Sequence, residues 1–229
     1  MFDNRLEFKS AVVGMVLGDG CITNPKGRTN CILSIQHSVA QKEYALYKKD
    51  LLEYLTAVSI YEYYRPDTRE EFKGTKPSVT IHTRRHPFYS KLRDRMYVDG
   101  RKQITEHILK IISPLGIALW YMDDGTFIPR MRTMYGNQAR DWQLRIATCS
   151  FSEAEHSLAQ YYFNKRFNIT WKIERRKNRN DNWQYLLALY KISEIEKFFN
   201  LVGKYIVPSM SYKHTKAPLQ GEDIVRTSG

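Results

Sequence analysis

Two stretches of this 229-residue chain lack the alternation of apolar and polar positions that marks a surface element. Ala11 to Leu17 holds no polar side chain and runs into Gly18-Asp19-Gly20. Ile117 to Met122 is nearly as apolar and runs into Asp123-Asp124-Gly125. A helix with no wet face is a buried helix, and each stretch is predicted as one. In the first, Gly14 and Gly18 lie on one helical face. Each costs about 1 kcal/mol of helix propensity relative to alanine; the compensation is close approach of another backbone. Gly20 and Gly125 are predicted helix stops in the left-handed conformation, with Asp19 and Asp124 in the last turn just before them.

The pattern between and after these helices repeats. In the first half a polar turn covers 23–30, and Cys31 to His37 alternates as a strand. Gln41 to Leu55 has helical periodicity, with Tyr44, Tyr47, Leu51 and Leu55 on one side. Val58 to Tyr64 and Ser78 to Thr83 form a hairpin around a charged loop containing Lys73, and Pro87 to Met96 forms a helix. A basic turn follows, Asp99-Gly100-Arg101-Lys102. In the second half Gln143 to Thr148 reads as a strand. Ser152 to Glu155 is a capping box opening a helix to about Phe167. Ile169 to Arg175 and Trp183 to Tyr190 make a hairpin, Ser193 to Val202 a helix, and Pro208 to Lys213 takes the place of the Lys102 turn. Lys213 lies 111 residues after Lys102, and Asp124 lies 105 after Asp19. The same element order at similar offsets predicts a duplication. The predicted fold class is α+β: two pseudo-symmetric αββαββα repeats, each with a curved antiparallel sheet, joined at a packed two-helix interface. The first repeat spans 1–110 and the second 111–213, with a polar tail over 214–229; one strand in each half is not located by the pattern.

Charge narrows the partners. Lys and Arg number 36 against 24 Asp and Glu, a net charge of +12. That balance favours a polyanion, nucleic acid first. Cys21, Cys31 and Cys149 form no CxxC pair, so neither a zinc site nor a disulfide framework is expected, and a reducing, intracellular location fits. No apolar run reaches membrane-spanning length, the first residues do not read as a signal peptide, and no membrane partner is expected. Cytoplasmic or organellar residence follows as an expectation, not secretion. The six histidines show no HxxxH spacing, and none is assigned to a metal.

Two packed helices ending in aspartates would set carboxylates side by side, which raises their pKa unless a cation lies between them. Mg²⁺, which takes one or two carboxylates plus phosphate oxygens and water, is the natural candidate, with Mn²⁺ as its substitute. A two-stranded ribbon fits the major groove of B-DNA. Candidate contacts on the predicted strands and loops are Arg65, Lys73, Lys76, His82, Arg84 and Arg85 in the first half. In the second they are Arg145, Lys172, Arg175, Lys177 and Arg179.

The two Asp-Gly phrases resemble the paired motifs of LAGLIDADG homing endonucleases, in the single-chain, double-motif form. Gly14, Gly18, Asp19 and Gly20 fall on the motif's small and acidic positions in the first copy; Ala118, Asp124 and Gly125 do so in the second. Leu119 and Asp123 depart from it, standing where small residues are usual. The resemblance implies a monomeric, metal-dependent endonuclease that makes a staggered double-strand break in a long DNA target. It implies Asp19 and Asp124 as metal ligands, with Gly18 and Asp123 as their neighbours in the metal set. It also implies Lys102 and Lys213 as basic groups beside the reacting phosphate, and Gln36 (with Gln143 behind it) in the water network. Ala147 and Cys149 stand where a polar pocket residue would be expected, so the half-sites are expected to be unequal. The alternatives on the same fold are an intron RNA maturase and a non-catalytic nucleic-acid binder; a phosphatase built on Asp123-Asp124 leaves the first motif unexplained. No splicing segments are visible, so the chain is not expected to be an intein itself.

Overall fold

The computed structural model describes residues 4–25, 28–66, 75–134 and 137–214, with the side chains of 65, 66, 75, 76, 129–134 and 137–141 left out. The first half runs α1 (Arg5–Leu17), β1 (Gly20–Thr23), β2 (Ile32–Ser38), α2 (Lys42–Leu52), β3 (Val58–Pro66), β4 (Thr75–Thr83) and α3 (Pro87–Met96). A small hairpin, β5 (Tyr97–Val98) and β6 (Arg101–Lys102), and a short helix α4 (Glu106–Ile111) lead into the second half. There the order is α5 (Pro114–Asp124), β7 (Gly125–Met134), β8 (Asn137–Ile146), α6 (Glu153–Phe167), β9 (Lys172–Lys177), β10 (Trp183–Leu189) and α7 (Ile192–Val202). A 3-10 turn, Pro208–Lys213, closes the described chain. The αββαββα order thus occurs twice. The two four-stranded antiparallel sheets have matching strand orders, β1-β2-β4-β3 and β7-β8-β10-β9.

Local chemistry explains where the elements begin. Asn4 caps α1, its side chain accepting from the amides of Leu6 and Glu7 at 2.9 Å. His86 caps α3, which starts on Pro87, where a missing amide proton costs nothing. The predicted box at Ser152 and Glu155 is present and opens α6. The strands left unlocated by the pattern are β1 and β7, which start directly on the motif glycines. Gly20 pairs with Ile35 and Gly125 with Ile146. The expected left-handed stops are therefore not there. α1 ends at Gly18 with φ −81°, and Gly125 is extended at φ −76°, ψ 148°. Glycine is needed at these two places for space. A Cβ on Gly20 would lie 2.6 Å from the carbonyl oxygen of Met15, and one on Gly125 would overlap the Tyr121 ring. Positive φ occurs instead at Asp99 (51°) and Gly100 (77°), the two central residues of the β5–β6 turn, at Asn168 (54°), which ends α6, and at Asp181 (59°).

α1 and α5 are the buried helices the apolar runs predicted, and they pack on each other. From Ser10 to Leu17 and from Leu115 to Met122 every residue is buried. Their closest approach is glycine on glycine: a Cβ on Gly14 would overlap the backbone of Gly116, and one on Gly116 would lie 2.5 Å from the Ser10 carbonyl oxygen. Ser10 pins the crossing, accepting from the Ser113 amide at 2.6 Å and donating to the Ser113 hydroxyl at 2.8 Å. Each sheet turns one apolar face toward this pair, with Ile22, Leu33, Ile35, Val79 and Ile81 in the first half and Phe127, Leu144, Ile146, Leu187 and Leu189 in the second. The buried side of α2 is Tyr44, Ala45, Lys48 and Leu52, not the predicted Tyr44, Tyr47, Leu51 and Leu55; the last three are partly buried at its flank. No helix among the described residues is long and apolar enough to cross a membrane.

Gly14→Ala forces this crossing apart. It is expected to destabilise the chain by about 1–3 kcal/mol or more, as overpacking of a tight core does, read as a lower urea midpoint at unchanged slope.

Candidate functional site

α1 and α5 touch through Gly14 and Gly116, and their C-terminal ends meet where the Asp123 carboxylate packs on Gly18. Asp19 follows the end of α1, and Asp123 and Asp124 finish α5. Burial raises the Asp124 carboxyl to about 7, and the neighbouring charges of Asp123 and Asp19 push the same way; Lys102 and Lys213 pull it down. Burial and then Asp123 raise Asp19 too, against Lys48, Lys213 and Lys102. Among the described residues nothing donates a hydrogen bond to the Asp124 carboxylate. The carboxylates of Asp19, Asp123 and Asp124 therefore lie close enough to raise one another, with the lysines opposing them. A hard divalent cation suits such an oxygen set.

The two lysines reach this point by different local routes. Lys102 comes from the β5–β6 hairpin, which Tyr97 and Arg93 tie to β1. The Ile22 amide donates to the Tyr97 hydroxyl at 3.1 Å, and Arg93 donates to the Ile22 carbonyl at 2.6 Å. Lys213 comes from the terminal 3-10 turn, held where its own carbonyl accepts from the Tyr121 hydroxyl at 2.7 Å. Both end on equivalent backbone. Lys102 Nζ donates to the carbonyls of Val16, Gly18 and Gly20 at 2.9, 2.9 and 3.1 Å. Lys213 Nζ donates to the carbonyls of Met122 and Asp123, the latter at 2.9 Å. Each ammonium thus neutralises the negative end of one motif helix. The three protons of Lys102 are all used in doing so, and the Gly18 carbonyl is one of their acceptors. Burial lowers the pKa of both lysines, and the facing carboxylates oppose it.

Asp123 has different partners from Asp124. Its Oδ1 accepts from Lys48 Nζ at 2.5 Å and from the Tyr44 hydroxyl at 3.0 Å, and its Oδ2 accepts from the Asp19 amide at 3.1 Å. The Lys48 and Asp123 side chains are fully buried. His37 completes the group. Its Nε2 lies 3.0 Å from Lys48 Nζ, and its Nδ1 lies 3.4 Å from Asp19 Oδ2. An ammonium has only protons to offer, so Nε2 is the acceptor and Nδ1 carries the hydrogen. Burial and then Lys48 push the His37 pKa down to about 4, keeping the ring neutral. Asp19, His37 and Asp123 each bring a ligand atom within 4.8 Å of the others, but the ammonium of Lys48 already bridges His37 and Asp123. Of this group only Asp19 and Asp123 are among the residues singled out from sequence. Lys48 was visible there as a charge between Tyr44 and Leu52 on the face of α2 that proves buried.

The outward faces of the sheets only partly match the predicted contacts. Side chains alternate across a sheet. On the first sheet the register aligns Ser34, His82 and Ser59 in one row and Gln36, Thr80 and Tyr61 in the next. The described side chains of these two rows are hydroxyl, amide, imidazole and aromatic groups. His82 is on it, bonded to the Ser34 hydroxyl at 2.8 Å, and Gln36 donates to the Ser78 hydroxyl at 2.9 Å. Arg84 and Arg85 are exposed just beyond β4. Lys73 and the side chains of Arg65 and Lys76 lie outside the described residues. On the second sheet Arg145 and Lys172 align in one row through Ala188. Arg145 is held by Glu174, at 2.9 Å through Nε. Arg175 and Lys177 are an odd number of residues from Lys172, so they project from the opposite face, with the Arg175 guanidinium stacked over Trp183 at 3.7 Å. Arg176, not singled out from sequence, shares the face of Lys172, and Arg179 sits in the β9–β10 turn. Matching Gly20–Ile35 to Gly125–Ile146 sets Ala147 opposite Gln36. Gln143 is buried and is not the counterpart of Gln36.

The sequence profile of the LAGLIDADG DNA endonuclease family matches residues 9–197, and the chain belongs to that family. It is 27% identical to Protein RecA of Mycolicibacterium flavescens over 88% of this chain and 45% of that protein; the chain thus spans less than half the length of that relative. It is 25% identical to Probable intron-encoded endonuclease 1 of Wickerhamomyces canadensis, over 90% of this chain and 82% of the relative. Two solved structures share the fold. The homing endonuclease I-WcaI bound to its DNA recognition sequence superposes with a TM-score of 0.75 at 21% identity, covering 93% of this chain and 88% of that one. The meganuclease I-SmaMI bound to uncleaveable DNA gives 0.54 at 12% identity, covering 89% and 86%.

Two outcomes follow for the purified protein. Lys48→Met strands a buried carboxylate and is expected to cost about 3–5 kcal/mol in urea unfolding, as loss of one partner of a buried pair does. The second concerns pH. A carboxyl whose folded pKa is raised binds more protons folded than unfolded, so stability falls as pH rises between its unfolded and folded values. Metal-free protein should therefore lose melting temperature from about pH 4 to about pH 7 on account of Asp124. Asp124→Asn should flatten that slope, and millimolar Mg²⁺ at pH 8 should raise the melting temperature of the parent more than that of the variant.

Proposed function

We propose that the chain is a site-specific DNA endonuclease of the homing type, which hydrolyses one phosphodiester in each strand of a long asymmetric duplex and leaves a staggered break. The observation that carries this reading is the pair of equivalent carboxylates, Asp19 and Asp124, at the meeting ends of α1 and α5, each beside a lysine-capped helix terminus. The two halves, about 1–110 and 111–213, each present one sheet to one side of the target, and the chain acts as a monomer because the repeat is internal.

Asp19 and Asp124 would hold Mg²⁺, or Mn²⁺ in its place, each serving one strand. When bound, such an ion supplies charge neutralisation at the phosphate and a more acidic attacking water. The chain's own residues do the rest. Lys102 and Lys213 fix the backbone that carries the two aspartates and keep positive charge where the phosphorane-like charge develops. In each strand water attacks phosphorus, the bond from phosphorus to the leaving sugar oxygen breaks, and that oxygen takes up a proton. Gln36, on the outward face of β2, is placed to order water in the first half; Ala147 offers no such group in the second. The sheet faces around Ser34, Tyr61, His82, Arg145, Lys172 and Arg176 read and grip the duplex. A binder without chemistry has no use for two carboxylates held close at an energetic cost, and this favours cleavage over the maturase or regulator reading.

The test is cleavage of a randomised duplex library with Mg²⁺, beside a chelated control and the Asp19→Asn/Asp124→Asn double variant. Recurrent metal-dependent cuts at one site are expected, falling by at least about a thousandfold in the variant while DNA affinity stays within a few-fold. A variant that cuts as well as the parent overturns the assignment; tight binding to intron RNA without any DNA cutting moves the reading to a maturase.

A further inference from the structure

The pseudo-two-fold relation makes Gly18 and Asp123 equivalent, each one residue before its motif aspartate. They are also in contact: a Cβ on Gly18 would overlap the Asp123 carboxylate. Asp123 crosses from the second half into space that only a glycine leaves open, and there its Oδ2 accepts from the Asp19 amide. The reverse bond does not exist, because Gly18 has no side chain to offer the Asp124 amide. The same one-sidedness extends outward. Lys48 and Ala159 are both the seventh residue of their helices, α2 and α6, and both are fully buried. His37 and Thr148 are equivalent by strand register, each two residues past Ile35 or Ile146. Thr148 is bonded to His156 at 2.7 Å. Beside Asp19 the carboxylate, the ammonium and the imidazole interlock; the equivalent positions beside Asp124 hold glycine, alanine and threonine.

We propose that Asp123 and Lys48 are positioning residues that make the two half-sites unequal: Asp123 clamps the backbone of Asp19 from across the interface, Lys48 holds Asp123 in that position, and among the described residues nothing equivalent clamps Asp124. Asp123 is on this account no metal ligand, since Lys48 takes the place a cation would occupy between it and His37. His37 extends the group, its Nε2 3.0 Å from Lys48 Nζ and its Nδ1 3.4 Å from Asp19 Oδ2. The two strand cuts then depend on this network to different degrees. The cut served by Asp19 is set by Asp123 and Lys48, and the cut served by Asp124 proceeds largely without them. The functional half of this inference rests on the endonuclease reading; the clamp itself does not.

Two measurements on the full chain test it, using the variant Lys48→Met/Asp123→Ala, which removes both charges so that neither is left buried alone. Lys48→Gln/Asp123→Asn keeps more of the volume and serves if the first does not fold. The first measurement is hydrogen exchange at the Asp19 amide by NMR without DNA or metal. Exchange is expected to quicken about tenfold or more relative to core amides of β2; unchanged protection overturns the clamp. The second is cleavage of a supercoiled plasmid carrying the recovered target, with each strand end-labelled. One strand is expected to be cut about tenfold or more slowly, so that nicked circles accumulate with the nick always in the other strand. Equal slowing of both strands would mean a merely structural role and overturns the proposal, as does an unchanged ratio. A parent protein that cuts nothing removes the endonuclease reading and with it the strand asymmetry, while amide exchange still decides whether Asp123 and Lys48 hold Asp19.

Discussion

Backbone-to-backbone contact at Gly14 and Gly116 is the constraint from which the rest of the molecule follows. Side chains of ordinary size at that crossing would hold two helices about 8–10 Å apart. Glycines let them come closer, and the contact continues at their C-terminal ends, where Asp123 packs on Gly18 and accepts from the Asp19 amide. The loops that leave α1 and α5 therefore start from nearly the same point, and β1 and β7 set off from there into separate sheets. The arrangement of sheets and the meeting of carboxylates are two results of one steric permission.

That meeting has an electrostatic cost, and the surrounding residues read as responses to it. Helix C-termini are already negative, and the structure adds Asp19, Asp123 and Asp124 to them. Three lysines oppose this charge, each in its own way. Lys102 and Lys213 spend their protons on backbone carbonyls. Lys48, wholly buried, holds a side chain instead. Even so the Asp124 carboxyl remains near 7, burial first and the other two carboxylates after it holding it up. A cation brought by, or shared with, a phosphate is the partner that the proposed function supplies to these carboxylates.

Much of the fold was legible because its signals are local. Periodicity found α1, α3, α5 and α6, the capping box gave the start of α6 to the residue, and the repeated Asp-Gly phrase revealed the duplication. What was missed depended on contacts across the interface. Gly116 lies just outside the apolar run as first delimited, and nothing in one segment shows that it faces Gly14. Lys48 sits in the apolar stripe of α2, but a lysine there reads as a snorkelling edge residue until Asp123 arrives from more than seventy positions away. Strand parity was lost on β9 because a basic run such as Lys172 to Lys177 shows no alternation. Arg175 and Arg176 then look alike, although one stacks on Trp183 and the other shares the face of Lys172. The left-handed glycine stops failed for a similar reason: Asp-Gly suggests a turn, whereas here glycine serves packing.

The nesting of Asp123 in the space beside Gly18 also bears on how such a molecule can change over time. Two copies of the second half, paired as identical subunits, would bring aspartate against aspartate where now aspartate meets glycine, a collision of both volume and charge. Two copies of the first half would fit sterically but would leave each Lys48 buried without a carboxylate. Neither half is any longer suited to a partner identical to itself. Joined in one polypeptide, the two halves are complementary rather than interchangeable, so cutting the chain between them would not yield two self-pairing subunits.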